Sequence, residues 1–570
     1  MILRLTAILF LFAASLAARG EASPKIWRVD CDASQAESGV LHSLAEVDAL
    51  TLQPGDQLLF RRGSVCHGVL APKGSGAESK PVHIGAYGSG PRPRIEASNK
   101  DDAGVDIRDQ GWLEIDALDV SGSRLYGVHV LATHGLSHHI VLRDLTVHDV
   151  GNLIDKVQTK ESGLVVVHSG TPGAAFDDVT IDGILAYGTT QWAGIIVSGT
   201  TGSVPTSHVV IRNSTVHDVQ GDGIVLFRVA DGVIENSIAW HTGMQDKETI
   251  GTPNGIWTWA CTRCTVQNNE AFLTDSPGVD GGAFDIDFWN DANSVINNYG
   301  HDTQGYCVSV FGAYSPATTA SMIRDNLCVR NGLSPRLAER QGAIFFATWD
   351  GGSIDGVKVE KNTVYFDPPG QYAAIQGLTD LKARGIVFEE NVIDSTSNIA
   401  AAAAIRDRYE FRNNTMTHGG FPSGLVADSA KVIPQWAKAV AGPDRSQVWR
   451  LIVALPETNG SALPRSVVGQ LALLRSQAWQ YGKESVEIVA ACRCGDEDRK
   501  AIETDWELAN AGVTLTTLGI ASPNVEAAVL IDRGGKVAKS WEGPLTPTDL
   551  GLVLRRALGT PHFAGLPTGR

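Results

Sequence analysis

Short apolar stretches that open on a glycine recur through the middle of the chain. They read GLVVVH at Gly163, GIIVSG at Gly194, GIVLFR at Gly223, GIWTWA at Gly255, GAFDID at Gly282, GYCVSV at Gly305 and GAIFFA at Gly342, at separations of 31, 29, 32, 27, 23 and 37 residues. A second signature runs between them, as in VVIRNSTVHD, GVIENSIAWH, CTVQNNEAFL and VKVEKNTVYF. It carries Asn269, Asn298, Asn326, Asn362, Asn391 and Asn414, with Ser214 and Ser237 in register earlier. A repeat of short strands and turns with almost no helical period constrains the fold to a β-solenoid. One coil cannot bury its own apolar face, whereas coils stacked about 4.8 Å apart bury it jointly. The recurring asparagine fits a ladder at a turn, where left-handed backbone is tolerated and amides bond along the stack.

The pattern resembles the right-handed parallel β-helix of the pectate-lyase-like superfamily over roughly residues 26–435. The opening SLAEVDALTLQPGDQLLFRRGSVCHGVLAPKGSG and KPVHIGAYGSGPRPRI resemble the first coils of secreted polysaccharide-active members. That resemblance implies a mainly β protein with a polysaccharide lying along one parallel sheet. Catalytic residues would then occupy outward strand positions of neighbouring coils.

Past residue 440 helical periods return. WRLIVAL, SVVGQLALLRSQAWQYG, VEIVAA, DEDRKAIETDWELANAG, VTLTTLG, VEAAVLIDRGG, KVAKSWEG and TPTDLGLVLRRALG give the order βαβαββα. This order resembles a small α/β thioredoxin-like domain, placed at 448–560 after a linker at 436–447 and before a tail at 561–570, with Pro523 as its candidate cis proline. The place of the usual CxxC reads ALPETNGSALP, and the nearby cysteines of AACRCGDED follow the second strand instead. A structural domain, with a possible protein partner, is therefore expected over a redox catalyst.

The chain begins MILRLTAILFLFAASLAARGEAS, an apolar run after Arg4 that is too short to span a bilayer and is followed by small residues. Residues 1–22 read as a signal peptide, and the protein as secreted or periplasmic without a membrane span. Export makes the eight cysteines disulfide candidates: Cys31 with Cys66, Cys261 with Cys264, Cys307 with Cys328, and less clearly Cys492 with Cys494. CTRC lacks a second ligand pair for zinc. A net charge of −16 argues against nucleic acid and leaves any acidic polysaccharide to be met by a local cationic patch.

Aligning the strands on their leading glycines puts Asp285 and Asp287 in columns where no other coil has an acid pair. Strand alternation sends Phe284 and Ile286 inward and both aspartates toward solvent, with Cα atoms about 6.5–7 Å apart. That spacing fits both retaining and inverting glycosidases, and crowding raises one pKa as a general acid requires. The leading reading is glycoside hydrolysis by Asp285 and Asp287. The alternative is a lyase or epimerase in which Asp280, Asp285 and Asp287 bind Ca²⁺ and Arg228 or His301 takes the C5 proton. Asp291 is a further potential oxygen ligand. Arg228 falls in the Asp287 column two coils earlier, about 10 Å along the stack. The repeated VHDV at His148 and His217 reads as a structural turn, while His301, one coil beyond the acids, is singled out as a catalytic candidate. Asp280, Arg228, Trp257, Tyr306 and Asp302 are candidate substrate contacts, with one of Trp257 and Trp259 expected in the core. The polygalacturonase branch is similar in its aspartate cluster, but a GDD coil and an RIK segment are missing. A non-catalytic adhesin or carbohydrate-binding solenoid is the rival of another class.

Overall fold

The structure, a computed structural model, describes residues 23–33, 38–151, 161–243, 252–336, 342–368, 372–378, 380–400, 408–428, 430–440, 448–456, 463–518 and 526–563. The expected signal peptide, Pro523, most of the expected linker and most of the expected tail lie outside the described residues. Within them, strands from Ile26 to Thr417 form three parallel sheets of 16, 11 and 13 strands, here sheets A, B and C. One coil shows the path: Leu136–Arg143 in sheet A, Thr146–Val150 in sheet C, then Gly163–Ser169 in sheet B. No helix of the described residues is long and apolar enough to cross a membrane.

Alternation builds the core. Ile195, Ile224, Ile256, Phe284, Val308, Ile344 and Ile375 stack in register on the inner face of sheet B. Across the coil, Ile181, Ile211, Ile234, Val266, Val295 and Ile323 do so in sheet A. All are buried, which is the joint burial that the repeat demands.

The asparagine ladder stands at the turn from sheet A to sheet C. Asn269 donates its backbone N–H and Nδ2 to Asn298 Oδ1 at 2.9 and 3.1 Å. Asn298 does the same to Asn326, and the chain of bonds continues through Asn362 and Asn391 to Asn414. Ser237 and Ser214 extend it with hydroxyl acceptors. The left-handed conformation belongs not to the ladder residue but to the one before it, for example Asn268 (φ 56°), Asn297 (54°) and Lys361 (56°).

Cys31–Cys66 and Cys307–Cys328 are bonded as expected, and so is Cys492–Cys494. Cys261 and Cys264 are instead free and buried, which corrects the expected disulfide. Each is a rung of its own column. Their N–H groups donate to Asn290 Oδ1 and Asn293 Oδ1, both at 2.8 Å. Their thiols lie against the carbonyls of Leu226 and Val229 in the core.

The C-terminal unit has a five-stranded sheet in the order Val513–Thr517, Val486–Cys492, Trp449–Ala454, Ala527–Ile531, Val537–Glu542. The first three strands are parallel and the last two antiparallel to their neighbours. The expected linker begins as a helix, Gln435–Val440, whose Ala437 is buried against Ile452, Val489 and Val529 of that sheet. Apolar packing makes it part of the unit.

Sheet C is where this unit docks. His148, Tyr187, His217, Trp240, Phe272 and His301 form one ladder of near-parallel rings with centroids 4.5 to 5.7 Å apart. Trp479, from the helix Arg465–Tyr481, packs on Trp240 and Phe272, and Phe563 on Phe272. The histidines of VHDV are thus structural, as their repetition suggests, but they lie in strands of sheet C (Thr146–Val150 and Thr215–Val219) rather than in a turn, and His301 is a rung of the same ladder.

Candidate active site

Asp285 sits at the centre of the short sheet B strand Phe284–Ile286. Its neighbours in the outward column are Val166, Ile196, Val225 and Trp257 on one side and Ser309 and Phe345 on the other. It points away from the solenoid core, as alternation requires. It does not meet solvent, being 1% exposed, which corrects the expectation of a solvated pair. Two aromatic clusters on the same outer face flank it. Trp192, Phe227 and Trp257 form one, and Tyr306, Phe311 and Phe345 the other.

Inside this frame the polar groups are organised around Asn254. Its Nδ2 donates to Asp285 Oδ2 at 3.3 Å, and its Oδ1 accepts from Gly282 N–H and Tyr306 O–H, both at 2.9 Å. Ser309 Oγ donates to Asp285 Oδ1 at 2.7 Å. Asp222 Oδ1 accepts from Asn254 N–H and Trp257 Nε1–H, both at 2.7 Å. Tyr306 lies flat over Gly282, where a Cβ would fall 1.9 Å from its ring.

Three further carboxyls, those of Asp222, Asp280 and Asp287, thus lie near enough to Asp285 to act on it electrostatically. Burial, then repulsion from Asp287, Asp280 and Asp222, pushes the Asp285 carboxyl well above the usual range, with Ser309 opposing. Asp287 follows the strand and is only half-buried; one of its oxygens caps the N–H of Phe288 at 2.8 Å. Asp280 is buried on the loop before the strand, where it and Gly281 adopt left-handed φ of 71° and 74°. The arrangement sets one enclosed acid, its pKa raised, beside a more open one.

Other expected site residues fall elsewhere. Alignment on glycines slips the register by one residue, since Ile256 pairs with Phe284 and so sets Gly255 opposite Ala283 rather than Gly282, and such a slip changes the face of every side chain. Arg228 consequently leaves the Asp287 column. Its N–H bonds Trp259 O, and its guanidinium lies over the rings of Trp259 and Trp289 at 4.5 and 5.5 Å. Trp257 and Trp259 both face outward, with Ile256 and Thr258 inward, so neither indole is in the solenoid core. His301 and Asp302 are not at this site. They belong to sheet C and are buried beneath the C-terminal unit. There Glu270 and Asp302 face His301 at 3.1 and 2.8 Å, Gln480 donates to Glu270 at 2.7 Å, and Arg555 donates to Asp302 at 2.6 Å. Arg555 and His301 hold the Asp302 carboxyl far below its ordinary range despite burial. Among the described residues no three or more His, Cys, Asp or Glu side chains are grouped to hold a metal ion.

Asp222, Asn254 and Ser309 were missed. Asp222 and Asn254 each precede a leading glycine, Gly223 and Gly255, and only the true register carries them to the acid strand.

The model of the right handed beta helix region matches residues 162–364, a span that contains the acid cluster. A lacto-N-biosidase of Bifidobacterium longum subsp. longum is 25% identical over 359 residues, which is 53% of this chain and 21% of that protein. The chain thus spans about a fifth of the length of this curated relative. Among solved structures, the GH136 lacto-N-biosidase from Eubacterium ramulus aligns at a TM-score of 0.46 and 19% identity, over 69% of this chain and 68% of that one. A mannuronic acid specific polysaccharide family 6 lyase from human gut microbiota aligns at 0.44 and 11%, over 73% and 93%.

Proposed function

We propose that the chain is an exported carbohydrate-active enzyme that hydrolyses a glycosidic bond at the acid cluster on the outer face of sheet B. The observation that carries this reading is the difference in burial within the cluster, with Asp285 enclosed and Asp287 half-buried. Hydrolysis of a glycoside asks for one carboxyl that keeps its proton and one that is ionised. Asp287, the most open of the four, takes the ionised role and activates water or attacks the anomeric carbon. The proton-donating role falls to the crowded Asp285, whose carboxyl burial and repulsion push well above its usual range, with Asp280 beside it. The half-buried Trp259, Phe288, Trp289 and Trp349 and the exposed Tyr314 at the strand ends supply apolar faces for sugar rings. The lacto-N-biosidase relative supports a hydrolase over a lyase.

The C-terminal unit is read as a thioredoxin-like domain without CxxC chemistry that buttresses the solenoid. Cys492 and Cys494 are spent on each other after the second strand, and its extensive contacts are with sheet C. The three disulfides support the exported location.

The test is a glycan panel followed by reducing ends and by absorbance near 235 nm. New reducing ends without absorbance are expected, and loss of turnover in Asp287→Asn, Asp285→Asn and Asp280→Asn with folding intact. Absorbance accompanying cleavage would replace hydrolysis by elimination. Binding without cleavage across the panel would favour the adhesin, and full activity in all three variants would remove the site.

A further inference from the structure

Four to five strand steps toward the N-terminus from Asp285, about 19–24 Å along the stack, the outer face of sheet B carries a second cluster that hydrolysis does not use. His129 and His168 are 3% and 8% exposed. Their Nε2 atoms face each other at 3.2 Å. His129 Nδ1 is hydrogen-bonded to Asp106 at 2.9 Å, and His168 Nδ1 lies 3.4 Å from Glu161 without forming a hydrogen bond. The carboxylates are themselves held. Arg108 donates to Asp106 at 2.8 Å and Ser198 to Glu161 at 3.0 Å. Tyr126 stacks on His129 at 4.0 Å and 8°, and the two imidazoles meet edge to face.

An imidazole whose Nδ1–H is directed at a carboxylate presents Nε2 as a lone pair. The His129 Nε2 lone pair, 3.2 Å from His168 Nε2, must be met there by a proton on His168 or by another electron-poor centre. Carboxylate support of the far nitrogen is also how ligating histidines are oriented. Two nitrogens bound at about 2.0–2.1 Å to one tetrahedral ion stand about 3.3–3.4 Å apart, close to the spacing here. Borderline divalent ions prefer imidazole, whereas Ca²⁺ and Mg²⁺ prefer oxygen.

We propose that His129 and His168 are the two protein ligands of an open site for a divalent transition metal ion of the Zn²⁺ and Cu²⁺ class, oriented by Asp106 and Glu161. Two protein ligands leave the remaining positions to water or to an oxygen of bound carbohydrate. The site is independent of the acid cluster, so its test needs no activity.

The metal-free, tag-free chain is titrated with ZnCl₂ and CuSO₄ by calorimetry, and the Cu²⁺ form is examined by electron paramagnetic resonance. The expected result is one ion per chain, Cu²⁺ the tighter, with two equatorial imidazole nitrogens. His129→Ala and His168→Ala should each abolish it, Asp106→Asn should weaken it by about 10–100-fold, and Asp285→Asn should leave it unchanged. The wild-type spectrum keeps the test valid if either histidine variant fails to fold. No saturable binding, fewer than two imidazoles in the spectrum, or unchanged affinity in both histidine variants would overturn the assignment in favour of a pair that merely shares a proton.

Discussion

Gly282→Ala tests whether the floor of the acid cluster depends on Tyr306. Gly282 does not occupy the left-handed region, so alanine meets no conformational obstacle; the obstacle is space. A Cβ there would stand 1.9, 2.1 and 2.8 Å from Cε2, Cδ2 and Cζ of Tyr306. The ring cannot swing away freely, because it is fully buried, stacked on Phe345 and edge-on to Phe311. Its hydroxyl also holds Asn254, which holds Asp285. Overpacking of a close-packed site costs about 1–3 kcal/mol. Loss of the hydroxyl's bond to Asn254 adds about 1 kcal/mol, so the expected loss is about 2–4 kcal/mol. Tyr306→Ala alone should cost on the order of 3–5 kcal/mol. In that background the new methyl enters vacated space, and the double variant should beat the sum of the singles by about 1–3 kcal/mol. Urea unfolding followed by both tryptophan fluorescence and circular dichroism reads these values, with an unchanged slope as the check on comparability. Glycan turnover should fall in Gly282→Ala even where folding is restored by temperature. A single variant within about 0.5 kcal/mol of wild type, or strict additivity in the double, would refute the claim that Gly282 is there to seat the ring.

The Asp285 carboxyl is raised above its unfolded value by burial, so the stability it contributes is complete below about pH 4 and is lost as pH rises through the native pKa. Asp285→Asn should therefore gain on wild type between pH 4 and pH 8 in urea unfolding, and a difference that stays flat with pH refutes a protonated Asp285. Asp302 is shifted the other way; its contribution is present above about pH 4 and is lost as pH falls toward its native value. Arg555→Met leaves Asp302 buried against fewer cations and should cost about 3–5 kcal/mol, less in Arg555→Met/Asp302→Leu, with faster proteolysis at the C-terminal unit as the readout. Asn298→Ala orphans the Asn269 N–H and one Nδ2 hydrogen and should cost about 2–6 kcal/mol. Asn298→Ser, which retains an acceptor as Ser237 does, should cost less, and hydrogen exchange at Asn269 distinguishes them.

Much of the solenoid was legible because its cause is local and repeated. Apolar alternation specifies an inward column whatever the exact register, and an asparagine that returns once per coil has a stacking explanation. The site was legible only in part. Asp285 and Asp287 stand out as acids in a strand whose other members are apolar, but their burial depends on Tyr306 and Trp257, which neighbouring coils supply. The glycines misled the alignment because they mark two different positions. Gly194, Gly223 and Gly255 share one row, whereas Gly163 and Gly282 lie one residue earlier. That single step moved Arg228 into the Asp287 column and hid Asp222 and Asn254. The free state of Cys261 and Cys264 was equally out of reach, since CTRC does not say that each thiol lies along its own column.

An irregular residue in a repeat needs a reason that the repeat does not provide, and two kinds of reason operate in this chain. Glu270 breaks the largely apolar column of sheet C between Ile238 and Tyr299, and Asp302 is buried beside it, because another part of the same chain lies on them. Arg555 and Gln480 arrive from the C-terminal helices with the complementary groups, and the charges are answered within the fold. Asp285 breaks the pattern of sheet B without such an answer. Ser309 and Asn254 each give it one hydrogen bond, yet Asp222, Asp280 and Asp287 crowd it with three further carboxyls. A fold that needed only a buried polar rung had an asparagine available, as the ladder shows at Asn269 and Asn298. Retaining mutually repelling acids there costs stability, and the proposed hydrolysis would supply the reason that packing does not.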